Sequence, residues 1–174
     1  MEFSKTLAVR QSVRKFTDEQ ITEGQLNDIL EAANAAPACM GQYDHLHLTV
    51  VQKPEILAQI NAAFQKAVND PNMQVTYGAP TVIYVSCKNE DEEIIKGCNA
   101  GVVMENMLLE AADLGLGAVY LFGVSQVLFA NEEITKLLQV PEGFRTVSAI
   151  AVGTSADVLQ ERILGTDKIS MTTL

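Results

Sequence analysis

The longest helical pattern in this chain runs from Asp91 to Gly115, and it constrains the fold more than any other segment. Ile94, Ile95, Cys98, Val102, Val103, Met107, Leu108 and Leu109 make it apolar on most of its sides. A helix of that character belongs in the middle of a domain, with a sheet and other helices laid against it. Gly115 is placed to stop it. With 174 residues, 48% of them hydrophobic, the chain has enough material to build one α/β core around such a helix.

The segments on either side alternate between helix and strand. Thr22 and Gln25 have the spacing of a capping box, and Leu26, Ile29, Leu30 and Ala33 then mark one helical face until Pro37. From His45 to Val51, the residues Leu46, Leu48 and Val50 alternate with His45, His47 and Thr49, the pattern of a half-buried strand. Pro54 opens a further helix that reaches about Val68 on Ile56, Leu57, Ile60 and Phe64. Thr81 to Val85 predicts a short buried strand. Ala118 to Phe122 and Thr146 to Val152 predict two more, separated by a short helix near Glu132 to Leu138. Hairpin signals are few, so helices separate most strands. The expectation is one α/β (α+β) domain over residues 1–174, with a mixed sheet whose neighbours are joined by long crossovers.

Charge narrows the partners. Twelve basic residues against 22 acidic ones give a net charge of −10, which repels nucleic acid and anionic lipid. Met1 to Lys5 shows no apolar leader core, and no run of about eighteen apolar residues follows, so a cytosolic protein is expected. Cys39, Cys87 and Cys98 are odd in number and widely spaced, which fits reduced thiols better than a disulfide framework.

Two of the four arginines, Arg10 and Arg14, bracket Ser12 within five residues. Guanidinium forks match phosphate oxygens bidentately, and a serine hydroxyl adds a donor at the same place. On a helix Ser12 would lie roughly opposite the arginines; in an extended segment all three would point the same way. A phosphate grip therefore requires the chain to leave the helix here. On these five residues alone, ordinary solvated charges are the more economical reading. Other chemistries lack their signals: there is no phosphate-cradling G-x-x-x-x-G-K-[ST], no G-x-S-x-G, no H-E-x-x-H and no G-x-G-x-x-G after a strand. His45 and His47 share one side of a strand, but no third metal ligand can be named, so a packed or exposed pair is expected. Cys39 has no evident base beside it and reads as a small loop cysteine rather than a nucleophile.

The order of segments is more telling than any single motif. A helix running into Arg10-x-Ser12-x-Arg14-x-Phe16 is followed by a capped helix ending Glu31-Ala32-Ala33-Asn34-Ala35-Ala36-Pro37. Gly78-Ala79-Pro80 then leads a strand, Met104 to Ala112 leads to Leu114-Gly115-Leu116-Gly117, and Ala149-Ile150-Ala151-Val152-Gly153 closes the succession. In this order the chain resembles the FMN-dependent nitroreductase family over nearly its whole length.

The resemblance implies a mainly antiparallel sheet flanked by helices, and an extended C-terminal tail over 153–174 exchanged between two subunits. It implies FMN as cofactor, with Arg10, Ser12, Arg14 and Arg162 on its phosphate and ribityl chain. Pro37, Ala38, Cys39, Met40 and Gly41 resemble the loop that reaches the flavin from the partner subunit. Tyr120, Leu121, Phe122 and Gly123 resemble the stretch along the isoalloxazine, where backbone N–H groups can bond flavin N5 or O4. Departures from the family pattern fall at Gly41, Asp44, His45, Phe122 and Gln160, and Phe122 reads equally as a core strand residue. No catalytic side chain is implied, since flavin N5 carries the chemistry. The implied activity is a ping-pong NAD(P)H oxidoreductase acting on nitroaromatics, quinones or related electron-poor acceptors, with NADH or NADPH as donor and a homodimer as the active unit. A non-catalytic FMN storage or sensing module, or a dehalogenating or flavin-fragmenting relative, stands beside it.

Overall fold

A computed structural model describes residues 2–123 and 131–174. In chain order the elements are α1 (Phe3–Val9), α2 (Glu23–Asn34), β1 (Leu46–Val51), α3 (Pro54–Val68), β2 (Thr81–Lys88), α4 (Glu93–Asp113), β3 (Gly117–Tyr120), α5 (Glu132–Leu137) and β4 (Phe144–Gly153). Local chemistry fixes most helix ends. Gln25 N–H donates to Thr22 Oγ1 at 3.2 Å and Thr22 N–H donates to Gln25 Oε1 at 2.9 Å, so the capping box starts α2. Pro54 opens α3, and Asn69 closes it in the left-handed conformation. Gly115, at φ +75°, follows the end of α4.

The strands form one sheet in the order β1-β2-β4-β3, and every named pair is antiparallel. A parallel element enters only through an isolated bridge between Ser12 and Ala118. Alternate residues build two cores, one on each face. Ile83, Val85, Ile150 and Val152 pack with Met104, Met107 and Leu108 of α4 and with Ile29 of α2. Val82, Tyr84, Ala149 and Ala151 pack with Ile60 and Phe64 of α3 and with Ile134 of α5. The long apolar helix is therefore central, as its composition requires, although Ile94, Cys98 and Val102 remain exposed along one stripe.

Strand boundaries differ from the sequence expectation at several ends, by one to three residues, and β4 runs from Phe144 to Gly153 rather than from Thr146 to Val152. β2 continues past Val85 through Ser86, Cys87 and Lys88, after a register shift. Ser86 is buried because Thr146 on β4 meets its hydroxyl at 3.2 Å. The strand expected to reach Phe122 ends at Tyr120, and Phe122 is 57% exposed, so it is no core residue. Beyond Gly153 the tail lies along the N-terminal segment: Thr17 N–H donates to Thr154 O at 3.0 Å and Ala156 N–H to Lys15 O at 3.0 Å. No described helix is long and apolar enough to cross a membrane.

Candidate functional site

The chain leaves α1 at Arg10, whose ψ of 121° ends the helix, and runs on extended. Val13 N–H donates to Ala118 O at 3.0 Å, laying the segment against β3. The approach is close enough to require glycine: a Cβ at Gly117 would meet the Val13 methyl groups at 2.9 Å. Arg10 and Ser12 line a cavity of about 330 Å³ with Gly101, Met104, Glu105 and Tyr120. Ser12 and Arg14 border a neighbouring hollow of about 330 Å³ with Lys15, Ser155 and Leu159. Ser12 thus lines both hollows, with Arg10 at one and Arg14 at the other. Neither fork is firmly held. Arg10 Nε is 3.7 Å from Glu105 Oε1, and Arg14 Nη1 donates to Ser12 O at 3.4 Å.

Arg162 joins this end of the molecule by another route. Its Nη2 donates to Leu7 O at 2.7 Å and its Nε to Ala8 O at 3.3 Å, while its backbone N–H donates to Ala8 O at 2.9 Å. The guanidinium satisfies last-turn carbonyls of α1, where a positive charge also suits the helix dipole. A guanidinium has five N–H donors, so this cap leaves several free. The cap carries no local sequence signal, because its two halves lie at opposite ends of the chain.

Tyr120 is 41% exposed, and its ring centroid lies 6.1 Å from that of Phe122. Leu121 turns inward between them and its N–H donates to Ala149 O at 2.8 Å, leaving Tyr120, Phe122 and Gly123 on the outside. The loop from Pro37 to Gly41 lies elsewhere on α4. Cys39 N–H donates to Asn99 Oδ1 at 2.9 Å. Asn99 and Gly101 are two positions apart on a helix, roughly 200° around its axis. One protomer therefore does not bring Pro37, Ala38, Cys39, Met40 and Gly41 to the cavity of Arg10 and Ser12.

The histidines form no shared centre. His45 Nδ1 lies 2.7 Å from Asp91 Oδ1, whereas His47 packs edge-on against Phe144 with ring centroids 6.2 Å apart. Burial, and then the charge of Asp91, push the Cys87 thiol up to about 11, so it is a poor nucleophile at neutral pH. A larger cavity of about 800 Å³, lined by Gln20, Gln52, Asn61 and Gln74, contains none of the arginines.

The sequence model of the nitroreductase family matches residues 7–154, which spans the arginine segment, both cores and the whole sheet. The chain belongs to the nitroreductase family. Among members of known structure, the FMN-bound nitroreductase of Bacteroides fragilis is 26% identical, with a TM-score of 0.85 over 99% of this chain and 100% of that one. An FMN-dependent nitroreductase of Clostridium difficile is 25% identical, with a TM-score of 0.80 over 98% of this chain and 99% of that one. A Methanothermobacter thermautotrophicus protein with the provisional name NADH dehydrogenase/NAD(P)H nitroreductase is 30% identical over 90% of this chain and 79% of its own length.

Proposed function

We propose that this nitroreductase is a homodimeric, FMN-dependent NAD(P)H oxidoreductase of the cytoplasm, reducing nitroaromatic, quinone or related electron-poor acceptors with donor and acceptor admitted in turn. The observation that carries the reading is the path of Arg10, Ser12 and Arg14. They leave α1 and lie extended along β3 beside the exposed Tyr120. The donor set suits a phosphate: two lightly held guanidinium groups flank a hydroxyl, and Arg162 keeps spare N–H groups at the end of α1. Bound FMN would supply the hydride and electron transfer.

The chain's own residues would bind and orient. Arg10, Ser12, Arg14 and Arg162 neutralise and fix the phosphate end. Tyr120, Phe122 and Gly123 border the ring system, with Leu121 holding that stretch to β4. The loop Pro37, Ala38, Cys39, Met40 and Gly41 comes from the second subunit, which accounts for its position across α4 from Arg10. Dimerisation has a matching surface: Ile94, Cys98 and Val102 form an exposed stripe on α4, with Gly97 and Gly101 beside it. The tail after Gly153 exposes Ile163, Ile169 and Met171 in one protomer, and crossing to the partner would cover them.

The test is direct. The protein reconstituted with FMN is expected to retain a flavin absorption spectrum after dialysis and to oxidise NADH or NADPH with a quinone. Bound flavin without turnover would instead make it a storage or sensing module, and a colourless protein would refute the flavin site altogether.

A further inference from the structure

The loop from Pro37 to Gly41 holds a conformation that its sequence does not favour. Met40 sits at φ +53°, in the left-handed region where a residue with a Cβ is disfavoured, and its side chain is 80% exposed. With so little of that side chain packed, the conformation must be held from elsewhere. Short turns supply part of the support: Gly41 N–H donates to Ala38 O at 3.0 Å and Gln42 N–H to Cys39 O at 3.1 Å. Beyond the apolar anchor of Ala36 in the core, polar attachments hold the two ends. At one, Cys39 N–H donates to Asn99 Oδ1. At the other, His45 pairs with Asp91 just before α4. Asn99 is only 4% exposed, so a buried amide oxygen of the central helix is committed to one loop N–H.

We propose that Asn99 is a positioning residue for the flavin site, acting through the Cys39 N–H to hold Met40 outward against the flavin bound across the subunit interface. The inference rests on the flavin reading above. It assigns the work to a residue that need not touch the cofactor. Removing the oxygen frees the loop at its bound end and lets Met40 relax toward ordinary backbone angles, away from the site.

Asn106 provides the comparison. It lies two turns further along the same face of α4, and its Nδ2 donates to Ala32 O of α2 at 3.0 Å. Its chemistry is the same, but it fastens a helix rather than the loop. Asn99→Ala is expected to speed hydrogen exchange of the Cys39 amide in the flavin-free protein, weaken FMN binding about tenfold, and change the visible circular dichroism of bound FMN. Asn99→Asp keeps an acceptor oxygen and should restore all three. Asn106→Ala should leave all three at wild-type values, whatever it does to Tm. Equal flavin behaviour in Asn99→Ala and Asn106→Ala, or no rescue by aspartate, would overturn the assignment. Should the wild type bind no FMN, the flavin reading and the positioning role fall together, and unchanged Cys39 exchange in Asn99→Ala would also remove the loop attachment.

Discussion

Arg162 has two demands on one guanidinium, and they can be separated. As a cap it holds Leu7 and Ala8; as a proposed phosphate ligand it must also reach outward. Arg162→Ala should therefore lower both FMN affinity and the Tm of the flavin-free protein, the latter by an amount corresponding to about 3 kcal/mol for two charge-assisted hydrogen bonds. Replacing Arg10 and Arg14 together should spare the fold, because their protein contacts are long, yet weaken FMN binding by about two orders of magnitude or more in equilibrium dialysis. Arg145→Ala serves as the control. That arginine pairs with Glu93, so its loss should affect stability and leave flavin affinity unchanged. The proposed grip of Arg10, Ser12 and Arg14 can be framed from the sequence because its members fall within five residues, and the extended path it requires is the one the backbone takes. Asn99 and the cap made by Arg162 were not, since a buried amide and a distant arginine acquire meaning only from the backbone that folding brings to them.

The start of α4 concentrates charge in a way that acid should reveal. Glu93 lies in the first turn, where its carboxylate accepts from Lys96 Nζ at 3.1 Å and pairs with Arg145 of β4. The Lys96 hydrogen bond, and then Arg145, hold the Glu93 carboxyl below its ordinary value of 4.5. A carboxylate depressed in the folded state stabilises fully above its unfolded value, and that contribution is lost as pH falls through the folded one. Glu93→Gln should consequently lower Tm near neutral pH, with the gap from wild type closing as pH drops below about 4.5 and narrowing in high salt. A gap that widens in acid would contradict this. Elements with caps and stops were readable: Thr22 with Gln25, Pro54 and Gly115 mark their helices in the sequence itself. The length of β2 was not. The buried run in the sequence stops at Val85, and the hydroxyl that makes Ser86 acceptable beyond it comes from Thr146 in a later strand.

The order β1-β2-β4-β3 could not be read from local patterns, because alternation identifies a strand and says nothing of its neighbours. Local patterns predict helices between strands and a sheet of mixed direction. The ladders are antiparallel, and Ser12 against Ala118 supplies the parallel part. At the scale of the assembly, truncation after Gly165 keeps Arg162 but removes Ile169 and Met171, and should weaken both dimerisation and flavin retention. Light scattering that finds a full-length monomer still holding FMN and oxidising NAD(P)H would exclude the shared site. The sheet's layout also bears on how the chain is made. β2 gains β1 as a neighbour early in synthesis, but its other partner, β4, is the last strand to leave the ribosome. Until then one edge of the most buried strand is open, and α4 emerges in time to cover its face but not that edge. Nascent chains halted between Asp113 and Phe144 should accordingly be the aggregation-prone and chaperone-bound species, and completion of β4 should release them.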